Sequence, residues 1–190
     1  EDFDIELSVY LGTKDATGAD GMTFVLHNDT RGTSAQGLNG GFMGVGSMRY
    51  FPAYGGLPTD LAPVAPSLTV EFDTWDNDAI LGDTTSLDHT AVYLDGDLGY
   101  TTASNELIGA NQVGTAGNIE DGQYHATRYI WDAASQTFRY YFEGALVGSF
   151  TKDLVSHMGS QYVTVGFTAS TGAYSNLQKG CFTRPPVLVD

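Results

Sequence analysis

The densest chemistry in this 190-residue chain lies in the stretch LTVEFDTWDNDAILGD at 68–83, where five acidic side chains and one asparagine fall within the thirteen residues from Glu71 to Asp83. Residues 68–73 alternate, so Leu68, Val70 and Phe72 share one face of a strand while Thr69, Glu71 and Asp73 share the other. Two carboxylates thus stand two residues apart, opposite an apolar face. Beyond them come Asp76, Asn77, Asp78 and Asp83, and then His89 at the start of the next strand. Hard oxygen donors, a backbone carbonyl and one imidazole form a donor set suited to a calcium ion beside a transition ion, and bound cations answer the mutual repulsion of the carboxylates. The alternative is a solvated acidic loop. Against it stands the origin of Glu71 and Asp73 on a strand whose other face is core.

The elements that must hold these residues are β-strands. The chain has 24 Gly, 11 Tyr and 10 Phe, only 16% charged residues, and no long window of helical periodicity, which predicts an all-β sandwich or barrel in one domain. Alternation bounded by turn residues predicts strands near 3–11, 22–27, 67–74, 89–94, 124–131, 137–143, 145–150 and 162–168. Two hairpins are well marked, one turning at 132–136 and the next at Glu143 and Gly144. Residues 151–160 predict a short helical turn stopped by Gly159. Two long loops, 28–66 and 169–176, carry aromatic residues and read as functional.

A formal net charge of −15, from 23 acidic against 8 basic residues, disfavours a phosphate backbone or an anionic membrane surface as partner. The expectation is no nucleic acid and no membrane insertion, because neither a basic n-region with an apolar stretch behind it nor an apolar run of about 18 residues is present. The single cysteine, Cys181, has no internal partner and reads as an inert thiol.

The run VEFDTWDNDAILGDTTSLDH resembles the metal-binding segment of the legume-type (L-type) lectins in the order of its residues and nearly in their spacing. The resemblance implies that Asp73 and Asp83 bridge two ions. It implies that Glu71 and His89 complete a manganese-type site, and that the Trp75 carbonyl and the Asn77 side chain complete a calcium site. Asp76 and Asp78 receive no role. GADGMTFVL at 18–26 resembles the family's first binding loop, which implies a cis Ala19–Asp20 bond and makes Asp20 the acceptor for sugar hydroxyls. NGGFMGVG at 39–46 resembles the second loop and makes Gly41 the backbone N–H donor, while VGFTASTGAYSN at 165–176 resembles the last strand and specificity loop. There Ala173 and Tyr174 take the contact position, with Ser175 and Asn176 as additions.

Sugar chemistry agrees with this set. A sugar offers a C–H face and a rim of hydroxyls, so its site needs an aromatic plate and a few fixed donors and acceptors. Trp75 supplies the plate, with core packing as the alternative for its ring; Trp131, ending a strand in a hairpin, reads as core. His27, His125 and His157 have no partners at ligand spacing and read as surface or satisfied core positions.

The expected fold is therefore an all-β, concanavalin A-like jelly-roll sandwich of antiparallel sheets, with the family's N-terminal strands missing ahead of FDIELSVYLG. The C-terminal segment, another chain or further domains would complete the sandwich. The domain is expected over 1–183, with 184–190 as a tail or the start of a linker. TFVLHNDTRG and EDGQYHATRYIWD resemble bacterial members found in large secreted or surface adhesion proteins.

The function this implies is calcium-dependent glycan binding without catalysis, in an extracellular or cell-surface setting. A glycoside hydrolase on the same fold would want Glu, Asp and Glu at Glu71, Asp73 and Asp76, so it lacks its acid/base glutamate. A calcium-stapled module with degenerate binding loops is the third reading.

Overall fold

The computed structural model describes residues 1–47, 62–77, 86–98, 105–183 and 187–189. Within these, eleven strands form two antiparallel sheets. The strands are β1 (Asp2–Tyr10), β2 (Gly21–His27), β3 (Ser67–Asp73), β4 (His89–Leu94), β5 (Glu106–Gln112), β6 (His125–Asp132), β7 (Thr137–Phe142), β8 (Ala145–Thr151), β9 (Thr164–Ser170), β10 (Lys179–Phe182) and β11 (Val187–Val189). The back sheet runs β10-β1-β6-β7-β8, with β11 also on β1, and the front sheet runs β5-β4-β3-β2-β9.

All eight predicted strands are present within one to two residues at each end. The Glu143–Gly144 turn has both residues at positive φ, 48° and 79°, the backbone that a tight two-residue hairpin requires. The predicted helical turn is α1 (Leu154–Met158), capped by the Asp153 carboxylate accepting from the Ser156 N–H at 2.9 Å and closed by Gly159 at φ 65°. Three strands were not foreseen. β5 has no alternation and meets β4 through register shifts, while β10 is a four-residue piece carrying a glycine. β11 lies in the expected tail and pairs with the start of β1, Asp2 opposite Val189, just as β10 pairs with its end, Tyr10 opposite Lys179. The C-terminal segment therefore lines one whole edge of β1.

Alternation sorts the side chains into two cores. Between the sheets, Leu7 and Val9 from the back meet Met22, Phe24, Leu68, Val70 and Phe72 from the front, all at or below 2% exposure. Phe24 stacks on Tyr129 at 4.4 Å and Tyr129 on Tyr140 at 5.2 Å, and Trp131 is buried there as expected. Each such side chain contributes about 1.5–3 kcal/mol by leaving water.

The opposite face of the front sheet is also covered. Val25, Ala91 and Tyr93 point there and pack under Met43, Val45 and Val64 of the long 28–66 loop, forming a second apolar cluster. Asp29 ties that loop down by accepting two bonds from the Arg31 guanidinium, at 2.9 and 2.6 Å, while Arg31 donates to the Pro63 carbonyl at 2.7 Å. Residues 48–61 of the loop lie outside the described set.

Candidate functional site

The acidic strand behaves as its parity requires. Glu71 and Asp73 project from β3 onto the loop-covered face and are 0% and 1% exposed. In the ladder Glu71 sits between Thr23 and Ala91, and Asp73 sits between Gly21 and His89. The His89 imidazole, 3% exposed, reaches to 3.6 Å from Glu71 Oε1, and its Nδ1 lies 3.2 Å from the Leu87 carbonyl. Burial opposes protonation of this ring, but the facing Glu71 carboxylate, with Asp73 behind it, outweighs that and pushes His89 up to about 10. The spot between Glu71 and Asp73 is thus strongly favourable to positive charge. Asp83 and Asp78 lie outside the described residues; among the described residues no three His, Cys, Asp or Glu side chains are gathered closely enough to form a metal group.

Past Asp73 the chain turns at once. Asp73 Oδ1 accepts the Trp75 N–H at 2.8 Å, which leaves Trp75 and Asn77 half-buried and Asp76 exposed. Thr74 N–H donates to the Asp20 carbonyl at 3.1 Å, joining this turn to the loop before β2. The Ala19–Asp20 bond is cis, as the resemblance implies. Gly21 follows at φ 141°, and a methyl group there would collide with the Phe72 carbonyl, so only glycine can carry the chain from Asp20 into β2. Asp20 is 6% exposed, burial pushes its carboxyl up, and its Oδ2 has no hydrogen-bond partner among the described residues.

Two further loops close on the same spot. Gly41 lies in a single 3-10 turn, Gly40–Phe42, pinned to β9 because Ser170 Oγ donates to the Gly40 carbonyl at 2.6 Å. Thr23 donates to Thr168 Oγ1 at 2.6 Å, and Thr168 in turn donates to the Met43 carbonyl at 2.7 Å. Ser170 also accepts the Asp20 N–H through its carbonyl at 3.1 Å. Beyond β9 the chain forms a tight turn in which Gly172 N–H donates to the Tyr174 carbonyl at 3.1 Å, and a Cβ on Gly172 would stand 3.2 Å from Asp20 Oδ2. Tyr174, 44% exposed, places its ring 4.7 Å from that of Trp75. Asp20, the Gly41 turn, Trp75 and Tyr174 therefore gather at one end of the front sheet, above Asp73 and His89.

The sequence profile of the legume lectin β-barrel domain matches residues 1–184. The chain belongs to the L-type lectin family. Its fold resembles a lectin from Bauhinia forficata solved in complex with GalNAc, with a TM-score of 0.65 at 16% identity over 94% of this chain and 69% of that one. It also resembles the metal-free form of lectin I-B4 from Griffonia simplicifolia, with a TM-score of 0.65 at 19% identity over 95% and 69%. The winged bean acidic lectin solved with methyl-α-D-galactose gives 0.61 at 19% identity over 95% and 66%.

In this L-type lectin domain several expected roles shift. Trp75 does not offer two free faces, because Tyr174 packs against it, tilted at 34°. Ala173 is exposed on the same turn. Asn176, expected as an added sugar contact, commits both ends of its amide to the protein, accepting from Thr13 N–H and donating to the Lys14 carbonyl, each at 3.2 Å. Ser175 is engaged by Lys14, whose ammonium donates to its carbonyl at 2.9 Å.

The remaining histidines are structural: His27 accepts from Asp29 N–H at 3.2 Å, His125 pairs with Glu143 at 2.8 Å, and His157 with Asp95 at 3.0 Å. Cys181 is exposed on β10. The sequence reading did not single out Ser170 and Gly172, which follow the predicted strand and could have been found from it.

Proposed function

We propose that this L-type lectin domain binds glycans, in a calcium-dependent manner and without catalysis, as a recognition module of a secreted or surface-displayed bacterial adhesin. The observation that carries the reading is the gathering of Asp20, the Gly41 turn, Trp75 and Tyr174 over the buried Glu71, Asp73 and His89. Relatives of the same fold have been solved with GalNAc and with methyl-α-D-galactose. Asp20 would accept hydroxyl protons from the sugar, the Gly41 N–H would donate, Asn77 and the Ala173 turn would complete the rim, and the exposed parts of Tyr174 and Trp75 would meet the C–H face.

Calcium would be held by Asp73, Asp83, Asn77 and the Trp75 carbonyl, and a manganese-type ion by Glu71, Asp73, Asp83 and His89. When bound, the ions supply positive charge that balances these carboxylates. The chain's own contribution is to seat Trp75 and Asp20 against one another through the Thr74 to Asp20 hydrogen bond.

A hydrolase reading is disfavoured by burial. Glu71 and Asp73 are sealed beneath the loops, and Asp76, where an acid/base residue would be wanted, lies exposed on the turn beyond them. A glycan array run with calcium and with chelator separates the readings: signal lost with chelator supports the lectin, silence in both supports a structural module, and released reducing sugar supports a hydrolase.

A further inference from the structure

Beneath the candidate sugar site lies Glu120, a residue on none of the loops that form it. Its side chain is 2% exposed. Its backbone N–H is held by Asn118 Oδ1 at 2.7 Å, and its Oε1 accepts from Asn176 Nδ2 at 2.5 Å. The same Asn176 amide carries the bonds to Thr13 and Lys14, so one side chain bridges Glu120, the 12–20 loop and the 171–177 loop. The fit leaves no room above it. A Cβ on Gly18 would collide with Glu120 Oε1 and stand 2.6 Å from Asn176 Nδ2, and one on Gly12 would run into the Asn176 amide. On a third side the Thr74 side chain approaches the carboxyl, one residue before Trp75.

Three loops thus meet on one carboxyl: Gly18 stands two residues ahead of Asp20, Thr74 adjoins Trp75, and Asn176 follows Tyr174 by two. We infer that Glu120 is the positioning residue of the sugar site, acting through Asn176 to set the spacing between Asp20 and the Trp75–Tyr174 pair. The inference rests on the lectin reading for its functional consequence but not for its geometry.

The chemistry suits a neutral brace. Burial, aided by the nearby Asp88 and Asp15 carboxylates and opposed by the Asn176 bond, pushes Glu120 up to about 8. The charged groups that face it are Asp88, ahead of β4, and Asp15 on the 12–20 loop; the neighbouring Lys14 ammonium is turned to Ser175. A glutamine has the same shape and offers the same acceptor, whereas an alanine offers none.

The test uses the full chain with calcium as wild type, Glu120→Gln, Glu120→Ala, Asn176→Ala and the double alanine variant. Affinity is measured with the free glycan that gives the strongest wild-type signal on a printed array. Acrylamide quenching of tryptophan fluorescence without sugar reports Trp75 exposure, because Trp131 is buried at 5%.

Glu120→Gln is expected to bind within about twofold of wild type with unchanged quenching. Each alanine variant is expected to lose about tenfold or more and to quench more strongly, with the double variant no worse than Asn176→Ala alone, because Glu120 acts only through its hydrogen bond to Asn176. Two results overturn the inference: a folded Glu120→Ala that matches wild type in both readouts, or a Glu120→Gln as damaging as the alanine. If wild type is silent on the array while the quenching pattern holds, the brace stands and the lectin reading fails.

Discussion

The rings of Trp75 and Tyr174 lie 4.7 Å apart, centroid to centroid, at 34° to one another. They come from the turn after β3 and the turn after β9, so the pair closes the site from both sides. Aromatic pairs in contact are coupled by about 0.5–1.5 kcal/mol beyond their burial. Trp75→Ala and Tyr174→Ala should each weaken glycan binding by about tenfold, and a double-mutant cycle should show the losses to be non-additive. The proposed calcium contact of Trp75 is its carbonyl, so Trp75→Ala should leave calcium affinity nearly unchanged in a calorimetric titration. A parallel loss of calcium would show that the ring itself supports the metal.

Asp20→Ala should abolish binding and spare the fold. Hydrogen bonds to a charged acceptor are worth about 1.5–3 kcal/mol each, so loss of two implies a drop of roughly a hundredfold or more. Because burial already works against the Asp20 carboxylate, its removal should leave the thermal midpoint level or slightly raised. Retained binding by the variant would move the sugar site elsewhere.

Removal of divalent ions should be visible without any sugar. An ion at a hundredfold excess over its dissociation constant stabilises the native state by about 2.7 kcal/mol. For a chain of this size that is a midpoint shift of roughly 5–10 °C. Scanning calorimetry with chelator, calcium, manganese and both ions checks it, and Asp73→Asn should erase the shift. Identical melts in all four conditions would leave Glu71, Asp73 and His89 as a purely protein-internal cluster.

Glu120 predicts a pH dependence of known sign. Its carboxyl is raised from 4.5 to about 8 in the folded chain. Below the unfolded value both states hold the proton. Between the two values only the folded state does, so each increment of pH favours unfolding, and above the folded value the loss is complete. Glu120→Gln cannot make this transition. Its midpoint should gain on wild type progressively from about pH 5 to pH 8 and then run parallel to it. A constant difference across that range would place the Glu120 carboxyl in its ordinary range.

The strands that build the site were legible because their pattern is local. In β3 every apolar residue alternates with a polar one, and the parity that buries Phe72 between the sheets puts Asp73 on the other face. What was hidden depends on distant partners. β5 is held in register by bulges against β4 rather than by its own alternation, and β10 and β11 are defined by the edge of β1 they cover. Glu120 reads as one acid in a turn-rich segment. Its role appears only when Asn176 and Gly18 arrive from elsewhere in the chain. The same holds for Tyr174, whose placement was expected but whose contact with Trp75 could not be read from either residue alone.

The pairing of Gly21 with Asp73 has a wider meaning for how this domain can change. Even a one-residue slip between β2 and β3 would bring Leu68, Val70 and Phe72 to the outside and drive Glu71 and Asp73 inward. Folding and recognition are thus encoded by the same odd-even count along one strand. A substitution in one of the loops above that strand alters a single contact, whereas an insertion of a single residue within 67–73 would erase both properties together.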